Sequence, residues 1–499
     1  MYLIGIDVGT THWKVVAYDR RGEAAAAFRC PGLVRETPDG GAVHDPEELW
    51  QAVAGGIREV VAALPARSGV TGVAVASVGE AGVLLDRADR PVGSSLVWYD
   101  PRTEPQARAW RERFPDRELY AVTGFAPQHI ASVNKLVWLR ENEPFAFARA
   151  AHWLCLADYV AFRLSGEKVM DYSLASRTGL FDLHRREWSG RLLAGAELDL
   201  ALFPPLAPSG TAIGGVTRVA AALTGLAEGT PVCTGGHDHI CGALAAGVAA
   251  PGAVLDSTGT AEAVLTVLDA PVTAPELCQA GLSLGCHVAR GRYYLLGTIA
   301  TAGAVVEWLK DLLGEDYAGL TARAAAAPPG SDGLLFLPHL RGTVLPVDPL
   351  SRGAFVGLTA AHTKSHLARA ALEGVCHELR ALLTLLAQFS GTEAEPVTAV
   401  GGAVKNPFWL RLKADVTGRE FLVPEVEEAT ALGAALLAGL GTGVWTTERE
   451  AAQALARRAT RLYPEAETAA AYALAHRVYL KLYPLLKGVS AEIATGGGG

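Results

Sequence analysis

The stretch GGHDHICGAL at residues 235–244, near the middle of this 499-residue chain, carries the most chemical information. An apolar strand precedes it and small apolar residues with helical spacing follow it, which predicts a strand that runs directly into a helix. Asp238 then lies at the first residue or the N-cap of that helix, where free N–H groups and the helix dipole stabilise a negative charge. Such a carboxylate stays ionised at neutral pH and can accept a proton, although a plain helix cap uses the same residue type.

The size and composition of the chain exclude several classes of protein. A chain of 499 residues is too long for one core and predicts two or more domains. A net charge of −8 without a basic stripe argues against a nucleic-acid binder. The seven cysteines are scattered without a C-x-x-C pair, which is typical of reduced thiols. With no membrane-length apolar run and no secretory signal, we expect a cytoplasmic protein that does not contact membranes.

Two similar strand–turn–strand patterns lie about 250 residues apart. The first, YLIGIDVGTTHWKVVAYD at residues 2–19, brings the hydroxyls of Thr10 and Thr11 and several N–H groups to one turn, as in a phosphate cradle. Asp7, at the end of its first strand, could hold Mg²⁺ through water. The second, VLDSTGT at residues 254–260, again combines an apolar strand with Asp, Gly and Thr. The repeat predicts two related domains that face each other across a cleft, with Asp238 near the crossing point, although a plain hairpin explains either copy alone.

Further candidate residues follow predicted strands. Trp98 and Asp100 lie in SLVWYDPR at residues 95–102, which suits a sugar because an indole covers C–H groups while charged groups bind hydroxyls. Core packing would explain Trp98 equally well. Glu80 directly follows an apolar strand and needs a partner there. In GGAVKNP at residues 401–407, Gly402 lets a flat ring approach the backbone and Asn406 is a good N-cap, although an ordinary strand–helix turn has the same pattern.

Taken together, these motifs resemble those of the FGGY carbohydrate kinases over nearly the whole chain. KLVWLREN at residues 135–142 is similar to one family signature, and GAFVGL at residues 353–358, with its continuation to residue 373, is similar to the other. Residues 7–11 and 258–260 are similar to the two phosphate motifs, and residues 401–406 with 414–415 to the adenosine motif. Glycerol kinase, xylulokinase, gluconokinase and related pentulose and hexulose kinases belong to this family.

The resemblance implies an α/β fold with two actin-like domains of the ribonuclease H and hexokinase type, and with ATP and a sugar in the cleft between them. The domains are expected at residues 1–245 and 246–490, followed by a flexible tail at 491–499. By motif match, Asp238 is the expected catalytic base. The expected ATP-binding residues are Thr10, Thr11, Lys14, Thr260, Gly303, Gly402 and Asn406, with Asp7 behind the waters of Mg²⁺. The residues expected to line the sugar site are Glu80, Trp98, Asp100 and His239.

Departures from the family pattern bear on the substrate. VGEA at residues 78–81 stands where xylulokinases typically carry Gln-Met-His-Gly, and glycerol kinases carry Arg-Glu at Gly79-Glu80. His239 stands where Asn or Gln is common. We therefore expect a ketose or polyol substrate, with a specificity like that of xylulokinase, gluconokinase or glycerol kinase as alternatives. The expected partner is a small molecule, not nucleic acid, and a homodimer is the candidate assembly.

Two other functional classes use part of the same pattern. An actin-like ATPase would share the nucleotide motifs without a sugar pocket, but the cluster of Glu80, Trp98 and Asp100 argues against it. A catalytically silent sugar sensor would need no base, and the intact Asp238 argues against that class.

Overall fold

Two large mixed β-sheets organise the chain. The computed structural model describes residues 1–65, 69–125, 127–391, 396–454 and 459–496. The strands of the first sheet are β1 (Tyr2–Val8), β2 (His12–Tyr18), β3 (Ala24–Pro31), β4 (Val70–Ser77), β5 (Ala212–Gly215) and β6 (Pro231–His237). Those of the second are β7 (Val254–Thr258), β8 (Glu262–Leu268), β9 (Ser283–Cys286), β10 (Tyr293–Ile299), β11 (Val397–Gly401), β12 (Phe421–Pro424) and β13 (Ala459–Leu462).

The two sheets share a five-stranded core topology, β3-β2-β1-β4-β6 in the first and β10-β8-β7-β11-β12 in the second. The strand order is β5-β6-β4-β1-β2-β3 in the first sheet and β9-β10-β8-β7-β11-β12-β13 in the second. In each, a hairpin strand (β1 or β7) pairs antiparallel with the next strand and parallel with a later one, β4 or β11. The two strand–turn–strand patterns of the sequence are therefore equivalent hairpins at the centres of two related sheets.

Helices and short strands surround the sheets. The α-helices of the described residues are α1 (Pro46–Ala63), α2 (Glu104–Arg113), α3 (Asp116–Thr123), α4 (Ser132–Asn142), α5 (Pro144–Phe147), α6 (Leu156–Ser165), α7 (Tyr172–Ala175), α8 (Gly190–Ala196), α9 (Arg218–Thr224), α10 (Asp238–Ala245), α11 (Pro275–Gln279), α12 (Gly303–Leu313), α13 (Tyr317–Ala325), α14 (Lys364–Ser390), α15 (Pro407–Thr417), α16 (Ala429–Gly441), α17 (Glu448–Ala454), α18 (Ala466–Tyr479) and α19 (Leu482–Gly496). The shorter strands are Arg35–Glu36, Ala42–His44, Gly82–Asp86, Pro91–Val92, Ser95–Leu96, Ala150–Cys155, Met170–Asp171, Phe181–Asp182, Glu187–Trp188, Leu206–Ala207, Leu335–Leu337, Thr343–Val344, Val347–Asp348 and Ala354–Val356. Within the described ranges, no helix has the length and apolarity that a bilayer crossing requires.

Helix α16 joins the two halves of the molecule. Its small residues let it lie directly against β1 and α10, because a β-carbon on Gly5 would overlap the carbonyl of Ala431 and one on Gly433 would overlap the carbonyl of Cys241. This close approach needs glycine on both surfaces. It brings the start of α16, which follows the second sheet in the chain, next to the first phosphate hairpin and the start of α10.

The predicted division at residue 245 coincides with the end of α10 and separates the strands of the two sheets. As a domain boundary it stays a prediction, since α16 from the second part packs on the first sheet. The flexible tail expected from residue 491 is wrong in its first part. Residues 491–496 continue α19 as a regular helix, and residues 497–499 lie outside the described residues.

Candidate active site

Asp238 is the first residue of α10, directly after β6, as the sequence predicts. Its side chain is 19% exposed, and its Oδ1 atom accepts a hydrogen bond of 2.6 Å from the backbone N–H of His239. His237 Nε2 lies 3.5 Å from the same oxygen, but burial lowers the pKa of His237 to about 4. The imidazole is therefore neutral at physiological pH, and the Asp238 side chain lies accessible at the start of the helix.

Asp7 and Lys14 face each other across the first hairpin. The Lys14 ammonium lies 3.4 Å from Asp7 Oδ2 and 2.6 Å from Glu428 Oε2. Burial raises the pKa of Asp7 to about 7; Lys14 opposes that rise, and the charges of Asp238 and Glu428 add to it. Two carboxylates thus contact Lys14, and Asp238 is a further acidic neighbour of Asp7, so the acidic groups outnumber the lysine and suit a cation.

The first hairpin turn also contacts a candidate sugar residue. Thr10 and Thr11 lie in the turn between β1 and β2, and Thr11 is exposed. The Trp98 indole N–H donates to Thr10 Oγ1 at 3.0 Å, and the ring of Trp98 is only partly buried. The structure therefore joins the predicted phosphate turn directly to Trp98, and the indole face keeps some access to solvent.

Glu80 is held by Arg177, a residue far away in the sequence. The Arg177 guanidinium contacts Glu80 Oε1 through Nε at 2.7 Å and Nη2 at 2.5 Å, and its carbon Cζ lies 4.1 Å from the centre of the Phe125 ring. Both side chains are almost completely buried. Glu80 also has a left-handed backbone with φ of 64°, which is costly for a residue other than glycine and typical of functional positions.

The expected direct role of Asp100 does not fit the structure. Asp100 is fully buried, and its carboxylate accepts hydrogen bonds from the Ala42 backbone and from the backbone and side chain of Arg102. Burial alone would raise the pKa of Asp100, but these bonds hold it below the usual value. Since both oxygens bind protein donors, Asp100 shapes the loop that carries Trp98 instead of touching a sugar. The sequence pattern could not reveal this because it does not show which donors surround a carboxylate.

A large cavity lies in the second half. Its volume is about 910 Å³, and all four second-half residues predicted to hold nucleotide line it: Thr260, Gly303, Gly402 and Asn406. The other lining residues are Thr258, Gly259, Val306, Glu307, Tyr317, Ala318, Thr321, Ala322, Ala325, Ala403, Lys405, Pro407 and Trp409. The size is that of a site for a ligand of nucleotide dimensions, which needs about 300–1,000 Å³.

Local backbone chemistry forms the walls of this cavity. Gly303 begins α12 against the hairpin turn, and a β-carbon there would overlap the Gly259 carbonyl. Asn406 is the N-cap of α15 as predicted: it accepts from the Trp409 N–H at 3.1 Å and donates to Thr321 at 3.0 Å. A β-carbon on Gly402 would meet only the Thr258 carbonyl at 3.6 Å, so this residue leaves open space on the cavity side.

Sequence patterns missed several residues of the site. Arg177 contacts Glu80, which lies 97 positions away in the sequence, and Glu428 contacts Lys14, which lies 414 positions away. No local spacing could predict either pair. The sequence does contain one indication for Glu428. This residue directly precedes the small-residue helix α16, so its position follows from the packing of that helix. Helix α13, which supplies Tyr317 and Thr321 to the large cavity, carries no recognisable motif.

Comparison with known proteins agrees with this arrangement. The N-terminal domain of the FGGY family of carbohydrate kinases matches residues 2–245, and the C-terminal domain of that family matches residues 255–442. The chain belongs to the FGGY family of carbohydrate kinases. Its sequence is 30% identical to the xylulose kinase of Bacillus subtilis (strain 168), over 99% of this chain and 98% of that protein. It is 34% identical to the glycerol kinase of Citrifermentans bemidjiense, over 92% and 94% of the two chains.

Solved structures of this FGGY family show the same architecture. The crystal structure of xylulose kinase from Rhodospirillum rubrum superimposes with a TM-score of 0.92 at 30% sequence identity, over 98% of this chain and all of that one. The protein is therefore an ATP-dependent carbohydrate kinase with the two-domain α/β fold expected from its sequence. An actin-like ATPase without sugar kinase activity is not favoured.

Proposed function

We propose that Asp238 is the general base that takes the proton from the attacking hydroxyl of a small ketose or polyol, while the γ-phosphate of ATP moves to that oxygen. One observation carries this proposal. An accessible carboxylate at the start of α10 lies close enough to the phosphate hairpin for its charge to raise the pKa of Asp7. A base placed between the two substrates supplies about 10²–10⁴-fold in rate.

Lys14, Thr10 and Thr11 would bind the transferred phosphate. Phosphoryl transfer depends mostly on positioning and charge neutralisation, and the Lys14 ammonium has a third N–H beyond those directed at Asp7 and Glu428. Mg²⁺ fits beside Asp7, where burial and two neighbouring carboxylates disfavour an uncompensated negative charge. Such an ion usually keeps several waters and uses one or two carboxylates with substrate phosphates, and it would neutralise phosphate charge.

Glu80, Trp98 and His239 are the proposed sugar contacts. Arg177 fixes one oxygen of Glu80 and leaves the other oxygen available for a hydroxyl. The indole of Trp98 can cover C–H groups of the ligand, and exposed His239 lies next to the base. The kinases of xylulose, gluconate and glycerol are all similar to this chain, so we propose a substrate class of small ketoses, polyols and related acids.

The adenosine part of ATP would occupy the 910 Å³ cavity, with Gly402 and Asn406 beside the base and ribose, and Thr260 and Gly303 nearer the phosphates. Closure of the two halves would then exclude water, which otherwise competes with the sugar for the phosphate. The homodimer and the cytoplasmic location remain predictions of the sequence, and light scattering of the purified protein tests the first.

The decisive experiment compares two identical substitutions at helix starts. A panel of pentuloses, hexuloses, polyols and aldonates first identifies the substrate with Mg-ATP. Asp238→Asn should then lower turnover by about 10²–10⁴-fold while the melting temperature stays close to that of the parent, because the side-chain oxygen of Asn can still accept the His239 N–H.

Asp45→Asn is the matched control. Asp45 caps α1 by accepting from Glu47 and Glu48 N–H groups, a purely structural role, and its Asn variant should keep normal turnover. If Asp238→Asn phosphorylates the sugar within a few-fold of the parent, the general-base assignment fails and Asp238 has only a structural role at the start of α10.

A further inference from the structure

A second cavity, of about 180 Å³, lies where the second half reaches over the first. The first half contributes Tyr172, Arg186, Pro208 and Ser209, and the second half contributes residues 286–292, the turn between β9 and β10. The volume is about six times the roughly 30 Å³ of one liquid water molecule. It is below the range of about 300–1,000 Å³ for larger organic ligands, so a nucleotide does not fit but a small ion does.

Positive charge dominates the lining of this second cavity. Arg186 donates through Nε to the Tyr293 hydroxyl at 3.0 Å, and its carbon Cζ lies 5.1 Å from the centre of that ring. In the described part of the chain, no carboxylate lies within 4 Å of the guanidinium of Arg186 or Arg290. Arg292 pairs with Asp269, and the nearby Glu448 accepts from the backbone N–H of Arg290. Buried Asp171 accepts from the lining hydroxyl of Ser209. Arg186 and Arg290 are thus the lining guanidinium groups whose donors are open to a ligand.

We propose that this cavity binds a small dianion, inorganic phosphate or the phosphate group of a small ester, through Arg186 and Arg290. Guanidinium groups bind phosphate oxygens in a bidentate manner, and an arginine without a carboxylate partner has its donors available. The stacking of Arg186 on Tyr293 fixes its plane before the anion arrives, so little side-chain freedom is lost on binding.

The contacts around the cavity extend to the proposed sugar site. Tyr293 and Tyr294 are consecutive residues of β10, so their side chains point to opposite faces of the sheet. The Tyr293 hydroxyl binds Arg186, whereas Tyr294 is a neighbour of Arg177, which holds Glu80. An anion in the cavity therefore fixes a strand whose other face supports Glu80. This coupling, unlike the anion site itself, rests on the proposed sugar-binding role of Glu80.

Calorimetric titration with inorganic phosphate tests the anion cavity. The ionic strength is held constant, and Mg²⁺ with a non-hydrolysable ATP analogue fills the nucleotide site beforehand. Arg186→Gln should weaken phosphate binding at least tenfold, and exposed Arg290→Gln, which cannot disturb the fold, should weaken it several-fold. Arg185→Gln is the matched control, since Arg185 is the exposed neighbour of Arg186 and does not line the cavity. Parent-like phosphate affinity in both Arg186→Gln and Arg290→Gln overturns the proposal, as does the absence of millimolar binding in the parent.

A kinetic measurement separates the coupling from the site. Phosphate should change the KM for the sugar in the parent and in Arg185→Gln, but not in Tyr294→Phe, which loses the hydroxyl next to Arg177 while keeping the cavity. An unchanged KM in the parent, together with tight phosphate binding that Arg186→Gln abolishes, refutes the coupling and leaves the anion site standing. Failure of the proposed function is seen separately, as normal turnover in Asp238→Asn.

Discussion

The two central hairpins occupy equivalent places in their sheets but use their aspartates in opposite ways. In the first, Asp7 pairs with Lys14 of the adjacent strand. The Lys14 side chain is 21% exposed, and it also contacts Glu428, which comes from the second half of the molecule. In the second, Asp256 is fully buried with Lys413, whose ammonium lies 2.6 Å from Asp256 Oδ2 and 3.2 Å from Glu262 Oε1.

This difference separates a carboxylate at a partly exposed ion pair from one that is fully buried. The lysine of the first hairpin lies at the surface of the cleft, where a phosphate can replace one of its contacts. The lysine that pairs with Asp256 of the second hairpin is Lys413, which comes from α15, behind the sheet. Its ammonium also donates to Thr258 Oγ1 at 2.5 Å. Thr258 lines the nucleotide cavity, so the buried cluster of Asp256, Glu262 and Lys413 supports its wall. Equal positions in the two sheets therefore have two different environments, because the neighbouring lysine comes from the adjacent strand in one and from α15 in the other.

The largest expected effect tests the structural role of the second cluster. Lys413→Met leaves the buried carboxyl groups of Asp256 and Glu262 without their cation and should lower the free energy of unfolding by about 3–5 kcal/mol. Denaturant unfolding measures this loss, with Lys364→Met on the exposed first turn of α14 as control. Equal stability of the two variants would show that the buried cluster contributes little.

The first hairpin should respond in activity instead of stability. Lys14→Met removes a positioned cation from the transferred phosphate and should lower kcat/KM by about 10²–10³-fold. Its unfolding free energy should change by less than about 1 kcal/mol, since partly exposed ion pairs contribute little. Lys14→Arg keeps the charge and should restore most activity. A stability loss as large as that of Lys413→Met would erase the proposed contrast.

A smaller effect is expected at the adenosine wall of the second half. Gly402→Val adds a side chain toward the cavity. Its β-carbon meets only the Thr258 carbonyl oxygen at 3.6 Å, so the variant should fold. It should bind ATP at least about tenfold more weakly than the parent, a loss of roughly 1.4 kcal/mol in binding free energy. At neighbouring Gly401, with φ of 89° and the Thr258 carbonyl in the way, valine should lower the melting temperature as well. Calorimetry with ATP and melting curves distinguish the two glycines, and parent-like affinity in Gly402→Val contradicts the assignment.

The last prediction concerns pH and the buried cluster. Burial, and then the charge of Asp256, raise the pKa of Glu262 to about 8, against about 4.3 in an unfolded chain. Between these values the folded protein holds a proton that the unfolded chain lacks, so this group makes stability fall as pH rises through the window. Glu262→Gln should flatten the fall by up to about 1.4 kcal/mol per pH unit. Unfolding at pH 5.5, 6.5 and 7.5 measures the slope, and an unchanged slope would mean that Glu262 is ionised throughout.

Local sequence patterns predicted much of the fold and part of the site. The hairpins, the strand–helix junction at Asp238 and the N-cap at Asn406 were all predicted correctly, because each depends on residues within a few positions of one another. Asp100 shows where this fails: its type and place suited a sugar, but the structure surrounds it with internal donors. The helical residues 491–496 were missed because the glycine-rich end suggested a loose tail.

The sequence by itself determined the two related sheets, the family and the strand–helix junction that carries Asp238, since apolar periodicity, turn residues and spaced motifs are local properties. Only the tertiary structure decided which charges meet. Packing of glycines in β1 and α16 places Glu428 at Lys14, folding of the first half brings Arg177 to Glu80, and α15 inserts Lys413 behind Asp256. These pairings join residues 97 to 414 positions apart, and electrostatic energy depends on distance in space and on burial, neither of which a linear pattern contains.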